Sequence, residues 1–204
     1  MKTALVPTGS RLVDSLPFSQ QGTAAQAAAL KAAGVDGLIG YLGAMNAERL
    51  RYVLDAGLGF MPVTFAGAYN NGPQDEILQL RALGIPAGTT VWLDMEGRGT
   101  LTDVDGLKGK INAWAGAIKA MGYEPGLYCG VPQPFTSAEL YALAVVRYWE
   151  SGSDVRDRNN ALAKPNCGYC LRQFLPQGFH AGVFVDFNMV GQDFKGRLPT
   201  WCVA

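Results

Sequence analysis

The sequence predicts an α/β fold: a TIM-like (β/α) barrel with helices after about the first five strands and a helix-poor run of three last strands. Three observations predict it. From residue 20 to about 142, helix-like and strand-like segments alternate, the pattern of parallel strands joined by crossover helices. After residue 143 the rhythm changes to short strand candidates separated by loops rich in Gly, Asn, Asp and Pro, with no convincing helix. A full eight-helix barrel takes about 250 residues, so a barrel with its last helices pared away fits a chain of 204. A doubly wound sheet is the alternative, but its nucleotide-binding form should carry a glycine-rich turn after the first strand. Only Gly22 falls there, and no G-x-G-x-x-G or Walker A stretch occurs.

Arg11 to Asp14 reads as the first strand. Gln20 to Ala33 is alanine-rich and helical, stopped by Gly34 at the position after the cap, and Val35 to Leu42 follows as a strand. Asn46 caps a helix that runs to Ala56 and ends at Gly57. Phe60 to Ala66 is the next strand, and Pro73 to Leu83 is a helix with proline in its first turn. Thr89 to Met95 is a strand, Asp103 to Met121 a helix ended by Gly122, Gly126 to Cys129 a strand and Ser137 to Leu143 a short helix. Ala144 to Trp149, Tyr169 to Phe174 and Val183 to Asn188 complete eight strands.

With 49% hydrophobic residues, the whole chain from 1 to 204 can bury one core as a single domain. Seventeen basic residues balance seventeen acidic ones, so no overall field steers the protein onto nucleic acid or an anionic membrane, and a neutral glycan suits it better. No apolar stretch approaches the roughly 20 residues of a membrane span. The N-terminal stretch is broken by Pro7, Ser10 and Arg11 and lacks the apolar region of a signal peptide. That predicts cytoplasmic synthesis, with release by phage lysis or carriage in a virion.

Four cysteines are too few for a disulfide scaffold, and Cys167 and Cys170 lack the histidine partners of a zinc site, since His180 is the only histidine. The same scarcity argues against a Ser-His-Asp or Cys-His enzyme.

The most informative segment is Trp92-Leu93-Asp94-Met95-Glu96-Gly97. Side chains alternate along a strand, so Asp94 and Glu96 share one face. Two more acids, Asp14 and Asp186, fall at or near the ends of predicted strands. A barrel brings its first, fourth and eighth strands to one rim, where all four can converge, and a close carboxyl pair is what glycosidic bond cleavage needs. Crowding raises at least one pKa and keeps one acid protonated. Metal-dependent hydrolysis would recruit further oxygen or histidine ligands, and Asn188 is the only obvious extra, so no metal and no cofactor are expected.

This set of features resembles glycoside hydrolase family 25, the lysozyme-type muramidases, and their sister group of glycoside-hydrolase-like barrels. The resemblance rests on Asp14, on Asp94-Met95-Glu96, on Gly122 to Pro125 followed by Leu127-Tyr128, on Arg172-Gln173, and on Val185-Asp186-Phe187-Asn188. It implies a barrel of five helices and three bare strands that cleaves the β-1,4 bond after N-acetylmuramic acid in peptidoglycan. It assigns Glu96 as general acid and Asp94 as the second carboxylate, with Asp14 and Asp186 holding the charge balance and the sugar. Tyr128, Tyr41, Trp149, Gln173 and Asn188 are expected to bind substrate. Three departures, Met61 to Phe65 in place of Tyr-His-Phe, Gly40 before Tyr41-Leu42-Gly43, and Arg172 before Gln173, place the chain nearer the sister group. Arg147, Arg156 and Arg158 could meet a sugar carboxylate or form a solvated loop. The rival to a hydrolase is an inactive barrel that grips an envelope glycan.

Overall fold

The structure is a computed structural model that describes residues 1–65, 73–96, 103–130, 134–152 and 168–204. Among them lie β1 (Lys2–Leu5), β2 (Arg11–Asp14), α1 (Leu16–Gln21), α2 (Ala24–Ala32), β3 (Gly37–Tyr41), α3 (Ala47–Asp55), β4 (Gly59–Phe65), α4 (Pro73–Ala82) and β5 (Thr90–Asp94). They are followed by α5 (Val104–Ala120), β6 (Glu124–Cys129), α6 (Ser137–Tyr141), β7 (Arg147–Glu150), β8 (Leu171–His180), β9 (Val183–Val190) and β10 (Thr200–Val203). Strands β2 to β9 close into a barrel in sequence order, and helices follow β2 to β6. The α/β barrel with a helix-poor end is therefore the observed architecture.

Local chemistry sets the boundaries. Asn46 accepts from the Arg49 amide and Asp103 from the Gly106 amide, each starting its helix, and Gly34, Gly57 and Gly122 end theirs at φ +82°, +73° and +84°. The expected helix from 20 to 33 is two helices instead. Thr23 and Gln26 form a reciprocal cap that starts α2 afresh, while Ser15 caps α1 through the Phe18 amide.

Direction is the main correction. Strands β2 to β8 run parallel, but β9 is antiparallel to both of its neighbours, β8 and β2. The cause is the link: a parallel partner needs a crossover, and only Ala181-Gly182 separate the two strands. These residues sit at φ +52° and +76°, the two positive values of a tight hairpin turn. Alanine in that region costs roughly 1–2 kcal/mol. Ala181→Gly is accordingly expected to stabilise the fold by about 0.5–1 kcal/mol; an unchanged midpoint in urea unfolding would show the turn to be unstrained.

Alternation splits the apolar residues into two cores. Leu12, Ile39, Met61, Val63, Trp92, Trp149 and Leu171 fill the barrel interior. Val13, Leu38, Phe60, Val91, Leu93, Leu127 and Tyr148 face outward, where Leu30, Val53, Ile77, Trp114, Ile118 and Leu140 of the helices cover them. Gly126 leaves room for the Trp92 ring, which a Cβ would strike.

Two strands escape a reading based on crossover units. β1 and β10 pair antiparallel, Thr3 opposite Cys202, and attach to β4 through Cys202 and Phe60 at the end of the barrel where the strands begin. Trp201 packs over Gly37 and Gly59 there, and Thr200 donates its hydroxyl to the Gly88 carbonyl. Arg147 belongs to this end too. As the first residue of β7 it is buried, ion-paired to Glu124 at 3.2 Å and donating to the Leu198 carbonyl at 3.0 Å, so it braces the barrel floor rather than meeting a sugar. Arg156, Arg158 and Cys167 lie outside the described residues.

Candidate active site

The opposite rim gathers the acids. Asp14 is the last residue of β2 and Asp94 the last of β5, both on inward positions and 4% exposed. Asp186 arrives by another route than expected. It sits in the first half of the reversed strand β9, directly opposite Asp14, so it reaches the rim because that strand starts there. Glu96 lies beyond β5, in a turn fixed by its own amide donating to Asp94 Oδ1 at 2.8 Å. Asp94 and Glu96 thus border one groove through a turn, not through continued strand alternation.

Beneath Asp14 is a buried network. Asn188 Nδ2 donates to Asp14 Oδ1 at 2.7 Å, and Gln173 Nε2 at 3.4 Å. Each amide is turned the right way by a donor on its oxygen: Trp149 Nε1 to Asn188 Oδ1 at 2.9 Å, and the Tyr128 hydroxyl and Gly152 amide to Gln173 Oε1 at 2.8 and 3.0 Å. Tyr128 and Trp149 pack with their rings tilted by 58° and 4.5 Å between centroids, 4% and 2% exposed. The expectation that Trp149 lines the cleft is corrected here. Inward alternation on β7 places it in the barrel core, where it acts on the rim through Asn188 and the packed Tyr128. Tyr128, Gln173 and Asn188 are likewise buried, just beneath the acidic rim, whereas half-buried Tyr41 stands in the groove with its hydroxyl 3.4 Å from Asp94 Oδ2.

Burial and mutual repulsion set the proton affinities. Asp14 is pushed well above the ordinary carboxylate value, by burial first and then by the charge of Asp186, against the hydrogen bonds from Asn188 and Gln173. Asp94 is raised to about 6, mainly by burial, with the Glu96 amide opposing and the Glu96 charge adding. Glu96 is raised by partial burial and by Asp186. The Tyr41 and Tyr128 phenols are raised as well, mainly by burial, so both stay neutral donors. The rim therefore holds three carboxyls whose proton affinities are all raised by burial and by one another's charges, a setting that favours a shared, partly protonated acid cluster.

Beside Asp94 and Glu96 opens a groove of about 480 Å³ between β4 and α4. Phe65, in register with Asp94, is 44% exposed on its wall, and Glu76 accepts from Thr64 at 2.9 Å and from Trp114 at 2.5 Å. From the sequence Phe65 counts among strand aromatics expected mostly in the core, and Glu76 draws no notice. The parity of Met61 and Val63 on β4 already placed Phe65 inward; nothing marked Glu76, since its hydrogen-bond partners come from two other elements, β4 and α5. Gly130 was missed too: a Cβ there would come within 2.8 Å of the Glu96 Cα, so only glycine lets that backbone sit at the rim. Among the described residues no group of three or more His, Cys, Asp or Glu is placed to hold a metal ion, and no helix is long and apolar enough to cross a membrane.

By sequence the chain matches no protein-family model and no curated protein. Its fold is similar to those of solved structures, among them two from bacteria. An uncharacterized B. stearothermophilus protein aligns with a TM-score of 0.66 at 19% identity, over 90% of this chain and 96% of its own. The bacterial lysozyme from Streptomyces coelicolor aligns with a TM-score of 0.57 at 13% identity, over 93% of this chain and 95% of its own. The architecture is thus shared, from end to end, with a bacterial lysozyme.

Proposed function

We propose that this chain is a lysozyme-like glycoside hydrolase that cleaves bacterial cell-envelope glycan, peptidoglycan foremost, at a bond of the N-acetylmuramidase type. The observation that carries the reading is the convergence of Asp14, Asp94, Glu96 and Asp186 on one barrel rim, two of them buried and three with raised proton affinity. Glu96, at the exposed edge, protonates the leaving glycosidic oxygen. Asp94, held by the Glu96 amide and the Tyr41 hydroxyl, is largely ionised at neutral pH and stabilises the oxocarbenium ion or orients the N-acetyl group of the substrate. Asp14, its Oδ1 occupied by two amides, is left with Oδ2 to meet a sugar hydroxyl. No cofactor and no nucleic acid enters this scheme.

The test is incubation with purified peptidoglycan, reading loss of turbidity and new reducing ends identified as muropeptides. Soluble products carrying a muramic acid reducing end are expected. Glycan binding without products would instead assign the barrel to a gripping module. A variant probes placement rather than chemistry: Gly130→Ala is expected to lower kcat at least tenfold by displacing the Glu96 backbone, because misplacement near 1 Å costs about a hundredfold. Wild-type kcat in Gly130→Ala would show that Glu96 need not sit where the glycine puts it.

A further inference from the structure

The hairpin of β8 and β9 rises beyond the rim. Its pairing with β7 involves Leu171 and Arg172, while the two strands continue pairing with each other to His180 and Val183. Val183, Val185 and Phe187 pack into the outer core, so Phe184, Asp186 and Asn188 take the inner face. Phe179 is directly opposite Phe184 on that face, the rings 5.5 Å apart edge to face. The reverse face is already occupied, by His180 against Phe187 at 5.2 Å. Phe179 is 82% and Phe184 40% exposed, so neither ring is spent on the core. Ser15 anchors the arm by donating to the Phe184 carbonyl at 2.8 Å.

We propose that Phe179 and Phe184 form an aromatic platform for a sugar ring of the same glycan strand that the acidic rim engages, making the protein selective for extended over short chains. The inference rests on the hydrolase reading and extends it to a distal subsite. Continuity names the occupant: Phe184 stands two residues from Asp186 on one face of one strand, about 7 Å along it. The chemistry agrees, because the thirteen residues from Gln173 to Val185 contain no charged side chain, which offers nothing to an ionic partner. Flat aromatic faces suit the apolar face of a pyranose.

The experiment titrates Glu96→Gln, so that nothing is consumed, with soluble glycan strands freed from peptidoglycan, from disaccharide to octasaccharide. Affinity is expected to rise with length. Adding Phe179→Ala and Phe184→Ala should remove the gain, about tenfold, with disaccharide affinity and melting temperature unchanged. In an otherwise wild-type chain the pair should raise KM on long strands and leave kcat alone. Equal length dependence with and without the two rings overturns the platform while the hydrolase stands; so does a double variant that loses only self-association in sedimentation. Absence of both turnover and binding at every length removes the hydrolase reading and the platform with it.

Discussion

Glu96→Gln is expected to lower glycan turnover by about a hundred- to ten-thousandfold while leaving fold and glycan affinity intact. The amide keeps the shape of the side chain but has no acidic proton for the leaving oxygen, and general acid assistance is worth that factor. The backbone contact that shapes the turn survives, since it runs from the Glu96 amide to Asp94 and does not involve the side chain. Glutamine resembles the protonated acid that burial and the neighbouring Asp186 charge favour, so the melting temperature should hold, and rise at pH values where Glu96 itself ionises. Product release from labelled peptidoglycan and binding to insoluble peptidoglycan are the two readouts. Full glycosidase activity in the variant would displace Glu96 as the acid and move the search to Asp186 or Asp14.

Asp94→Asn is expected to stabilise the protein at pH 7.5 by about 1–3 kcal/mol and by almost nothing at pH 4. Burial lifts the Asp94 carboxyl to about 6 from its usual 3.8. The native state therefore holds this proton more tightly than the unfolded chain does. Stability is full below the unfolded value and is lost as pH rises from about 4 through 6, and a rise of that size corresponds to roughly 3 kcal/mol. Asparagine mimics the neutral acid and can still accept from the Glu96 amide, so its advantage should open across that window and then level off. Urea melts at pH 4, 5, 6 and 7.5 measure it. A gap as large at pH 4 as at pH 7.5 would mean that packing, not ionisation, separates the two proteins. Turnover should fall in the same variant, since the charge that opposes the positive transition state is gone.

Periodicity found the alternating α/β elements and the acids at their strand ends, and chain length with the absence of a glycine-rich turn favoured the barrel over an open sheet. The alternation of helical and strand-like segments, the caps Asn46 and Asp103, and the glycines at 34, 57 and 122 are local signals, and local signals fix which residues form an element and which face each side chain takes. That is why Asp14 and Asp94 were legible as inward residues at strand ends. Three things were decided only by tertiary structure. The reversal of β9 came from a two-residue turn, and it moved the whole strand end for end while Asp186 still reached the rim. Depth separated Tyr41, in the groove, from Trp149, in the core, though both are inward aromatics on barrel strands. Position along the strand put Arg147 on the floor with Glu124. Side-chain parity repeats every two residues and says nothing of height above the barrel floor or of strand direction, so exposure, the sum over all neighbours that the closed barrel brings together, is settled only when the barrel closes.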